Sequence, residues 1–416
     1  MKRIFSARKI TLVVVCLLAI ASAVVIVALS RRSESGSTKA RTYNTLEEAG
    51  ARLSEVQNLD KDIDVRPIEI KNFHGGAATS FLSWQESFRG ELKDKLGVNK
   101  TERVQVIESL KPEKFFLEIQ PSETGQPASI RKVFYSREQL ILKGAGGDLM
   151  KAWFLKPERE GKEKAERFPC VICLPGHSRL GVDSIVGIGK DGVTRTKYGG
   201  EYNDYALQFI EHGYAVLALE QRGMGTRRHE LLKVLGINGN TPCELTAFLD
   251  GLGGTPTLGF RVSDVSLAID YLCSRSDIDN NWFAVAGASA GGTTSLFSAA
   301  LDKRIDCALV ISYFNTFKDS ILARRHCGCN YAGDLASEAE MSDVACLIAP
   351  RCLFIEYGCF DNYFPPEGAL KAFAETRKGW EILGASDYLR KELAPRGHLG
   401  FSGKGLFEFM NRCKRP

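Results

Sequence analysis

The sequence predicts an α/β fold in which a mostly parallel central sheet is flanked by helices. From residue 170 onward, largely apolar runs of strand length alternate with helical stretches. Apolar runs that lack an alternating polar face are typical of strands buried on both sides in a parallel sheet. The runs are residues 170–174, 215–219, 283–286, 308–312 and 352–356, and the helical stretches are residues 202–212, 262–272 and 293–301.

A β-hairpin is predicted before these runs. Residues 133–135 and 139–142 have strand-like composition, residues 144–147 supply a glycine-containing turn, and residues 150–155 form the returning strand. We expect this hairpin at an edge of the sheet, which makes the sheet mixed rather than purely parallel.

The region before the hairpin is predicted to be helical. Apolar residues recur at three- and four-residue spacing from Phe81 to Leu96, followed by Gly97, as in an amphipathic helix that packs on the main domain. The predicted domains are therefore a membrane segment or signal at residues 1–30, a linker at 31–45, an N-terminal helical extension at 46–130 and the α/β domain at 131–416.

Residues 10–29 contain no charged side chain and are long enough to cross the ~30 Å hydrocarbon layer as a helix. We expect an uncleaved signal-anchor, with the following domain outside the cytoplasmic membrane. The small residues at 21–23 leave cleavage, and a secreted or periplasmic protein, as the alternative.

The overall composition is that of a globular protein, with 44% hydrophobic and 25% charged residues. The net charge of +5, from 55 basic and 50 acidic residues, is too small to indicate a nucleic-acid partner. Among the twelve cysteines, four lie in apolar runs, where cysteine acts as a small apolar residue: Cys170, Cys173, Cys307 and Cys352. Cys327 and Cys329 follow His326, but no second Cys or His pair outside these apolar runs stands at zinc-ligand spacing. A structural role is favoured over a metal site, and a disulfide between these two cysteines is left open.

A Gly-x-Ser-x-Gly pattern at residues 287–291 lies between an apolar run and a helical stretch. This strand-turn-helix context is that of a nucleophile elbow, in which the serine occupies a strained turn and the glycines let strand and helix approach closely. Ser289 is the candidate nucleophile.

A serine hydroxyl needs a base to accept its proton, and the sequence contains six histidines. In this kind of fold the chain order is serine, acid, histidine. His398 is the candidate base, because it lies in a glycine-flanked loop near the C-terminus, after the last strand-like stretch.

The acid is expected after a strand that lies between the serine and the histidine. Asp361 follows the run at residues 352–356, where its carboxylate could accept the second imidazole N–H. Glu356 is the alternative, and Asp334 and Asp343 are weaker candidates.

Two backbone N–H groups are expected to stabilise the oxyanion of the reaction. One belongs to Ala290, the residue after the candidate nucleophile, and the other to His177, in the loop after the run at residues 170–174. Two long connections, residues 226–259 and 315–343, are expected to cover the site.

With these residues in place, the chain resembles the acetyl xylan esterase-like and dienelactone hydrolase-like branch of the α/β-hydrolases. The resemblance covers most of the chain from about residue 46. The sequence departs from this branch at Ala290, where a larger apolar residue is common, and near Ala332, where a proline often precedes the glycine. The matching stretches are residues 174–177, 221–225, 287–292, 326–330, 341–343, 349–351, 358–361 and 364–365.

The resemblance implies an α/β-hydrolase fold and removal of small acyl groups, often acetyl, without a cofactor. The expected function is that of a serine carboxylic-ester hydrolase acting on small-molecule or saccharide esters through an acyl-enzyme. A prolyl-oligopeptidase-like peptidase is an alternative, although residues 36–133 are too few for its β-propeller. A non-catalytic binding domain is the other alternative, and the oligomeric state is left open.

Overall fold

The computed structural model describes residues 52, 54–55, 77–98, 103–119, 130–158, 167–200, 202–235, 243–403 and 405–414. All of these belong to one compact unit, Arg52–Pro416. The membrane segment predicted at residues 10–29 lies outside the described residues. Among the helices in the described ranges, none combines the length and the apolar character that a membrane crossing requires.

A ten-stranded mixed sheet forms the centre of the described part of the chain. Its order is β1-β3-β4-β6-β5-β7-β8-β9-β10, and β2 pairs with β3. The strands are β1 (Val106–Ser109), β2 (Glu113–Ile119), β3 (Arg131–Lys143), β4 (Leu149–Pro157), β5 (Phe168–Leu174), β6 (Ala215–Leu219), β7 (Ile278–Ala288), β8 (Cys307–Ile311), β9 (Cys352–Gly358) and β10 (Leu389–Ala394).

The five apolar runs are strands β5 to β9, so the sequence prediction of a parallel sheet is confirmed. Neighbouring strands from β6 through β5, β7, β8 and β9 to β10 are all parallel. Strands β6, β8 and β9 are buried along their whole length, as expected for strands covered on both faces.

The predicted hairpin is also present, as the antiparallel pair β3 and β4. Its position at the sheet edge was wrong, because β1 and β2 pair with the outer side of β3. These two strands lie within the stretch predicted to be a helical extension. Strand β1 is exposed along its whole length, whereas β2 contains a short apolar run, Phe115 to Leu117, that the prediction of a helical extension did not use.

Helices lie on both faces of the sheet, and each face has its own hydrophobic core. The predicted helix at residues 202–212 begins only at Tyr205, because Asn203 and Asp204 adopt positive φ angles. The helices are α1 (Ala78–Leu96), α2 (Tyr205–Glu211), α3 (Glu230–Val234), α4 (Glu244–Leu252), α5 (Thr257–Cys273), α6 (Ala290–Leu301), α7 (Met341–Cys346), α8 (Pro366–Ile382) and α9 (Leu406–Cys413).

Helix α1 packs on the main domain, as its amphipathic pattern predicts. Its apolar side chains Phe81, Phe88 and Leu92 are buried. Buried Arg89 on the same face donates to the carbonyl oxygens of Ala300 and Leu347, near the C-terminal ends of α6 and α7. A positive charge there interacts favourably with the partial negative charge of helix ends.

A disulfide joins Cys352, at the start of β9, to Cys413, at the end of α9. The interpretation of Cys352 as an unpaired small apolar residue was therefore incomplete. Cys327 and Cys329 are not disulfide-bonded. Among the described residues, Cys352–Cys413 is the single disulfide.

Candidate active site

Ser289 occupies the turn between β7 and α6 with φ 55° and ψ −119°, a conformation that L-residues rarely adopt. A side chain at Gly291 would overlap the carbonyl oxygen of Leu174, and one at Gly287 would overlap the carbonyl oxygen of Gly291. The glycines of the pattern are thus required by close backbone contacts. The turn places the serine at the carboxyl end of the central strand and at the beginning of a helix.

The three predicted side chains meet at this turn. The Ser289 Oγ lies 2.9 Å from His398 Nε2, and His398 Nδ1 lies 2.9 Å from Asp361 Oδ2. Because an ionised carboxylate can only accept hydrogen bonds, Nδ1 donates to it and Nε2 is left to accept the serine proton. This arrangement is the one that a serine nucleophile and its general base require.

Asp361 is fixed by the backbone around it. It is 2% exposed, and its second oxygen, Oδ1, accepts hydrogen bonds from the N–H groups of Tyr363 at 2.8 Å and Phe364 at 3.0 Å. The Phe364 ring also stacks on the His398 imidazole, with ring centroids 5.7 Å apart. Asp361 and His398 therefore have little freedom to move apart.

The His398 loop is held by the alternative acid candidate, Glu356. This fully buried carboxylate pairs with Arg396, with Glu356 Oε1 2.5 Å from Arg396 Nη2, and it accepts hydrogen bonds from Ser402. Arg396 also donates to the Ser312 hydroxyl and the Gly397 carbonyl. Glu356 thus positions the loop and does not contact His398 itself.

The two weaker acid candidates have structural contacts elsewhere. Asp334 pairs with Lys95 at 2.8 Å on the surface. Asp343 accepts a hydrogen bond from the N–H of Glu340 in the capping box at the start of α7. Of the four carboxylates considered from the sequence, the structure brings only Asp361 to the imidazole.

The loop after β5 lies beside the serine turn, as expected for an oxyanion loop. A side chain at Gly176 would overlap the Tyr202 hydroxyl and come within 2.8 Å of the carbonyl oxygen of Ala288. Gln221 donates to the carbonyl of Pro175, and Tyr202 donates to the carbonyl of His177 at 3.3 Å. The N–H of His177 has no acceptor among the described residues, so it is available to an oxyanion.

Several solved structures with a similar architecture are described as esterases. One is described as a "putative acetyl xylan esterase" from Bacteroides fragilis NCTC 9343, with 14% identity, a TM-score of 0.58 and coverage of 86% of this chain and 84% of that chain. Another is a glucuronoyl esterase from Solibacter usitatus, with 14% identity, a TM-score of 0.52 and coverage of 82% and 94%. The chain has the α/β-hydrolase fold. The resemblance inferred from the sequence motifs is confirmed at the level of the fold.

A curated relative of this chain is described as "Putative hydrolase YtaP" from Bacillus subtilis (strain 168). The two are 29% identical over 269 residues, which is 63% of this chain and 82% of the relative. No protein-family model matches the sequence.

The two long connections of the chain both reach the site. Cys243, from the connection at residues 226–259, packs with Cys327 and Cys329, from the connection at residues 315–343, against Ala290. The ring of His326 lies 5.0 Å from that of Phe364. Part of each connection therefore contacts residues of the site, and the expectation that the connections cover it stays a prediction.

Sequence reasoning missed the residues that position the site. Glu356 and Arg396 pair across 40 residues, and Gln221 links the loop after β5 to the Thr294 hydroxyl of α6. The only available signal was a polar residue at the carboxyl end of an apolar run, as at Gln221 and Glu356. Such a residue at that edge of a parallel sheet points towards the site loops.

Proposed function

We propose that the protein is a serine carboxylic-ester hydrolase that removes short acyl groups, acetyl in particular, from saccharide or other small-molecule esters. The observation behind this proposal is the pair of 2.9 Å contacts that link Ser289 to His398 and His398 to Asp361. The esterase descriptions of the structural neighbours support the substrate class.

In the first half of the reaction, Ser289 Oγ attacks the ester carbonyl carbon while its proton passes to His398 Nε2. The negative oxygen that forms is stabilised by the N–H groups of Ala290 and His177, and loss of either donor would cost about 3 kcal/mol in the barrier. Asp361 stabilises the imidazolium. The C–O bond to the alcohol then breaks, and His398 returns the proton to the departing oxygen.

In the second half, water attacks the acyl-enzyme. His398 accepts a proton from the water, the second tetrahedral intermediate is stabilised by the same two N–H groups, and the ester bond to Ser289 breaks. Ser289 recovers its proton from His398, and the carboxylic acid leaves. All the groups needed for both halves come from this chain.

His326 is suited to contact the alcohol part of the ester. It is 8% exposed, and its Nε2 has no hydrogen-bond partner in the part of the chain that the structure describes. Burial, together with the neighbouring Arg324 and His398, lowers the pKa of His326 to about 4, so the ring is neutral at pH 7. A neutral imidazole beside the catalytic histidine can hydrogen-bond a substrate hydroxyl.

We also propose that the enzyme acts outside the cytoplasmic membrane, tethered by the segment at residues 10–29. The Cys352–Cys413 disulfide supports this location, because disulfides persist mainly in oxidising compartments. Saccharide esters of the cell exterior would then be within its reach.

The test is p-nitrophenyl acetate hydrolysis by the full-length protein. Ser289→Ala should lower kcat by about 10⁴-fold or more, because the nucleophile is lost while the fold is kept. Ser83→Ala, at an exposed position of α1, is the matched control and should retain wild-type activity. Equal rates for wild type and Ser289→Ala would contradict the proposal. Comparison of acetyl, butyryl and octanoyl esters then tests the preference for short acyl groups.

A further inference from the structure

Four side chains with metal-binding atoms converge behind the serine turn: His177, Cys243, Cys327 and Cys329. Their ligand atoms all lie within 4.8 Å of one another. His177 Nε2 is 3.2 Å from Cys243 Sγ and 3.3 Å from Cys329 Sγ, and the sulfurs of Cys243 and Cys327 are 3.0 Å apart. One imidazole and three thiols are thus directed at a common point.

We propose that these four residues bind one zinc ion in a closed, tetrahedral Cys₃His site. In such a site, metal bonds of about 2.3 Å to sulfur and 2.0 Å to nitrogen hold the ligand atoms roughly 3.5–3.8 Å apart. The two nitrogen–sulfur separations are a few tenths of an ångström shorter than this, and the sulfurs of Cys243 and Cys327 are about 0.8 Å closer, so binding requires these side chains to move apart. Three thiolates and one imidazole favour zinc over calcium or magnesium, which prefer oxygen ligands.

The charge around the cluster fits this ion. Zinc with three thiolates and a neutral imidazole has a net charge of −1. Arg261, which is 1% exposed, interacts electrostatically with Cys329, Cys243 and Cys327. Its Nε and Nη2 donate to the carbonyl of Arg222, whereas its Nη1 has no hydrogen-bond partner among the described residues. A buried guanidinium needs a counter-charge, and a zinc–thiolate centre supplies one.

The cluster is buried, as expected of a structural rather than a catalytic metal site. Cys243, Cys327 and Cys329 are 0%, 5% and 2% exposed. All four coordination positions are supplied by the protein, so none remains for water or substrate. The ion would therefore stabilise the architecture and would not take part in the chemistry.

The four ligands come from three segments that are distant in sequence. Cys243 precedes α4, Cys327 and Cys329 lie in the connection before α7, and His177 lies in the loop after β5. The ion would tie both long connections to this loop. If the proposed function is correct, it also fixes the His177 N–H at the oxyanion, because the side chain and the backbone donor belong to the same residue.

A disulfide between Cys243 and Cys327 is the competing state of these sulfurs, because they are already neighbours. It would use two of the four ligands and leave Cys329 as the one thiol of the cluster that can supply a negative charge to Arg261. A second group of sulfurs, Cys307 with Cys352 and Cys413, is not a comparable site, because two of its members form the disulfide.

The first experiment measures metal content in the full-length protein, purified without chelators from zinc-supplemented medium. Wild type should contain about one zinc ion per chain, and Cys327→Ser and Cys329→Ser should each lower this content at least about tenfold. Cys346→Ser is the matched control, because Cys346 is also a buried thiol but lies outside the cluster, beside the carbonyl of Thr376. It should retain its zinc. Retention of zinc in both cluster variants would overturn the proposal.

The second experiment uses wild-type protein, so it is decisive even if the variants fail to fold. X-ray absorption at the zinc edge should show three sulfur ligands at about 2.3 Å and one nitrogen at about 2.0 Å. Oxygen-dominated coordination, a metal-free protein, or a Cys243–Cys327 disulfide in peptide mass spectra would contradict the proposal.

Neither measurement requires turnover, so this proposal and the proposed function can fail separately. Ser289→Ala should lose esterase activity and retain its zinc. A protein that binds zinc in the cluster but hydrolyses no ester would contradict the proposed function alone. A metal-free protein that hydrolyses esters at full rate would contradict the zinc site alone.

Discussion

Two buried glutamates support the loops on either side of strand β7, and they do so with different partners. Glu356, in β9, is fully buried and forms an ion pair with Arg396. Glu220, directly after β6, is 1% exposed, and its hydrogen-bond donors among the described residues are the N–H groups of Val182 at 3.1 Å and Thr226 at 3.4 Å. One carboxylate is matched by a full positive charge, and the other by backbone dipoles.

The difference affects the stability of each side. Burial raises the pKa of Glu220 to about 7, even though the N–H of Thr226 opposes the shift. The charge of Glu356 is compensated by a guanidinium that would itself be left buried and unpaired without it. The His398 side of the site is therefore fixed by charge. The His177 side is fixed by hydrogen bonds and, on our proposal, by a metal ion.

The largest expected effect comes from the His398 side. Asp361→Asn keeps the size of the side chain and an oxygen to accept from the Tyr363 N–H, but it no longer favours the productive tautomer of His398. We expect kcat for p-nitrophenyl acetate to fall about 10⁴-fold at pH 7. Asp387→Asn, at an exposed position, should change kcat by less than about twofold. A loss below tenfold in Asp361→Asn would show that this carboxylate does not orient the base.

The second effect concerns the ion pair that supports the same loop. Glu356→Gln leaves the Arg396 guanidinium, whose side chain is 14% exposed, without its counter-charge, so the free energy of unfolding should fall by about 3 kcal/mol. Glu381→Gln removes one partner of the exposed Arg377–Glu381 pair and should cost less than about 1 kcal/mol. Urea denaturation of both variants gives the comparison. Equal losses would mean that the buried pair does not stabilise the fold more than the surface pair.

The smallest expected effect is a change in the pH dependence of stability, and it concerns Glu220 on the His177 side of the site. Because the folded-state pKa of Glu220, about 7, exceeds the ordinary value of 4.5, the folded protein binds the proton more tightly. This contribution to stability is present at low pH and is lost as the pH rises from about 4.5 to 7. Glu220→Gln should therefore show a smaller fall in Tm between pH 5 and pH 7.5 than wild type.

Burial also raises the pKa of Glu340 to about 7. Part of the fall in Tm between pH 5 and pH 7.5 should therefore remain in Glu220→Gln. Adding Glu340→Gln to the Glu220→Gln variant should remove that remaining fall in Tm. If the Tm of Glu220→Gln fell as steeply as that of wild type over this range, Glu220 would have to be ionised without cost.

The His398 side of the site could be predicted from the sequence largely because chain order restricts it. An apolar run, a glycine-flanked serine and a helix define the serine turn, and the acid and base must then follow in order. Ser289, Asp361 and His398 each lie directly beyond a strand of the parallel sheet, so their convergence follows from topology. The apolar runs at strands β5 to β9 were equally recognisable.

The His177 side could not be predicted in the same way. Its support comes from single residues in long connections, and Cys243 lies 84 residues from Cys327. A search for zinc-ligand spacing in a sequence detects pairs of ligands that are close along the chain. Of the four proposed ligands, only Cys327 and Cys329 are close to each other in sequence. Strand β1 was missed because its exposed side chains resemble those of a surface segment, and β2 was missed because its apolar run, Phe115 to Leu117, is short. Contacts between segments that are distant in sequence can be recognised only when the fold is known.

The central claim is that Ser289 is an activated nucleophile. A fluorophosphonate probe tests it directly, because only an activated serine displaces the fluoride and forms a covalent phosphonyl ester. After incubation with full-length protein and proteolysis, we predict one labelled peptide with the adduct on Ser289, and no labelling in His398→Ala. An unlabelled Ser289 in folded protein, or equal labelling in His398→Ala, would contradict the account.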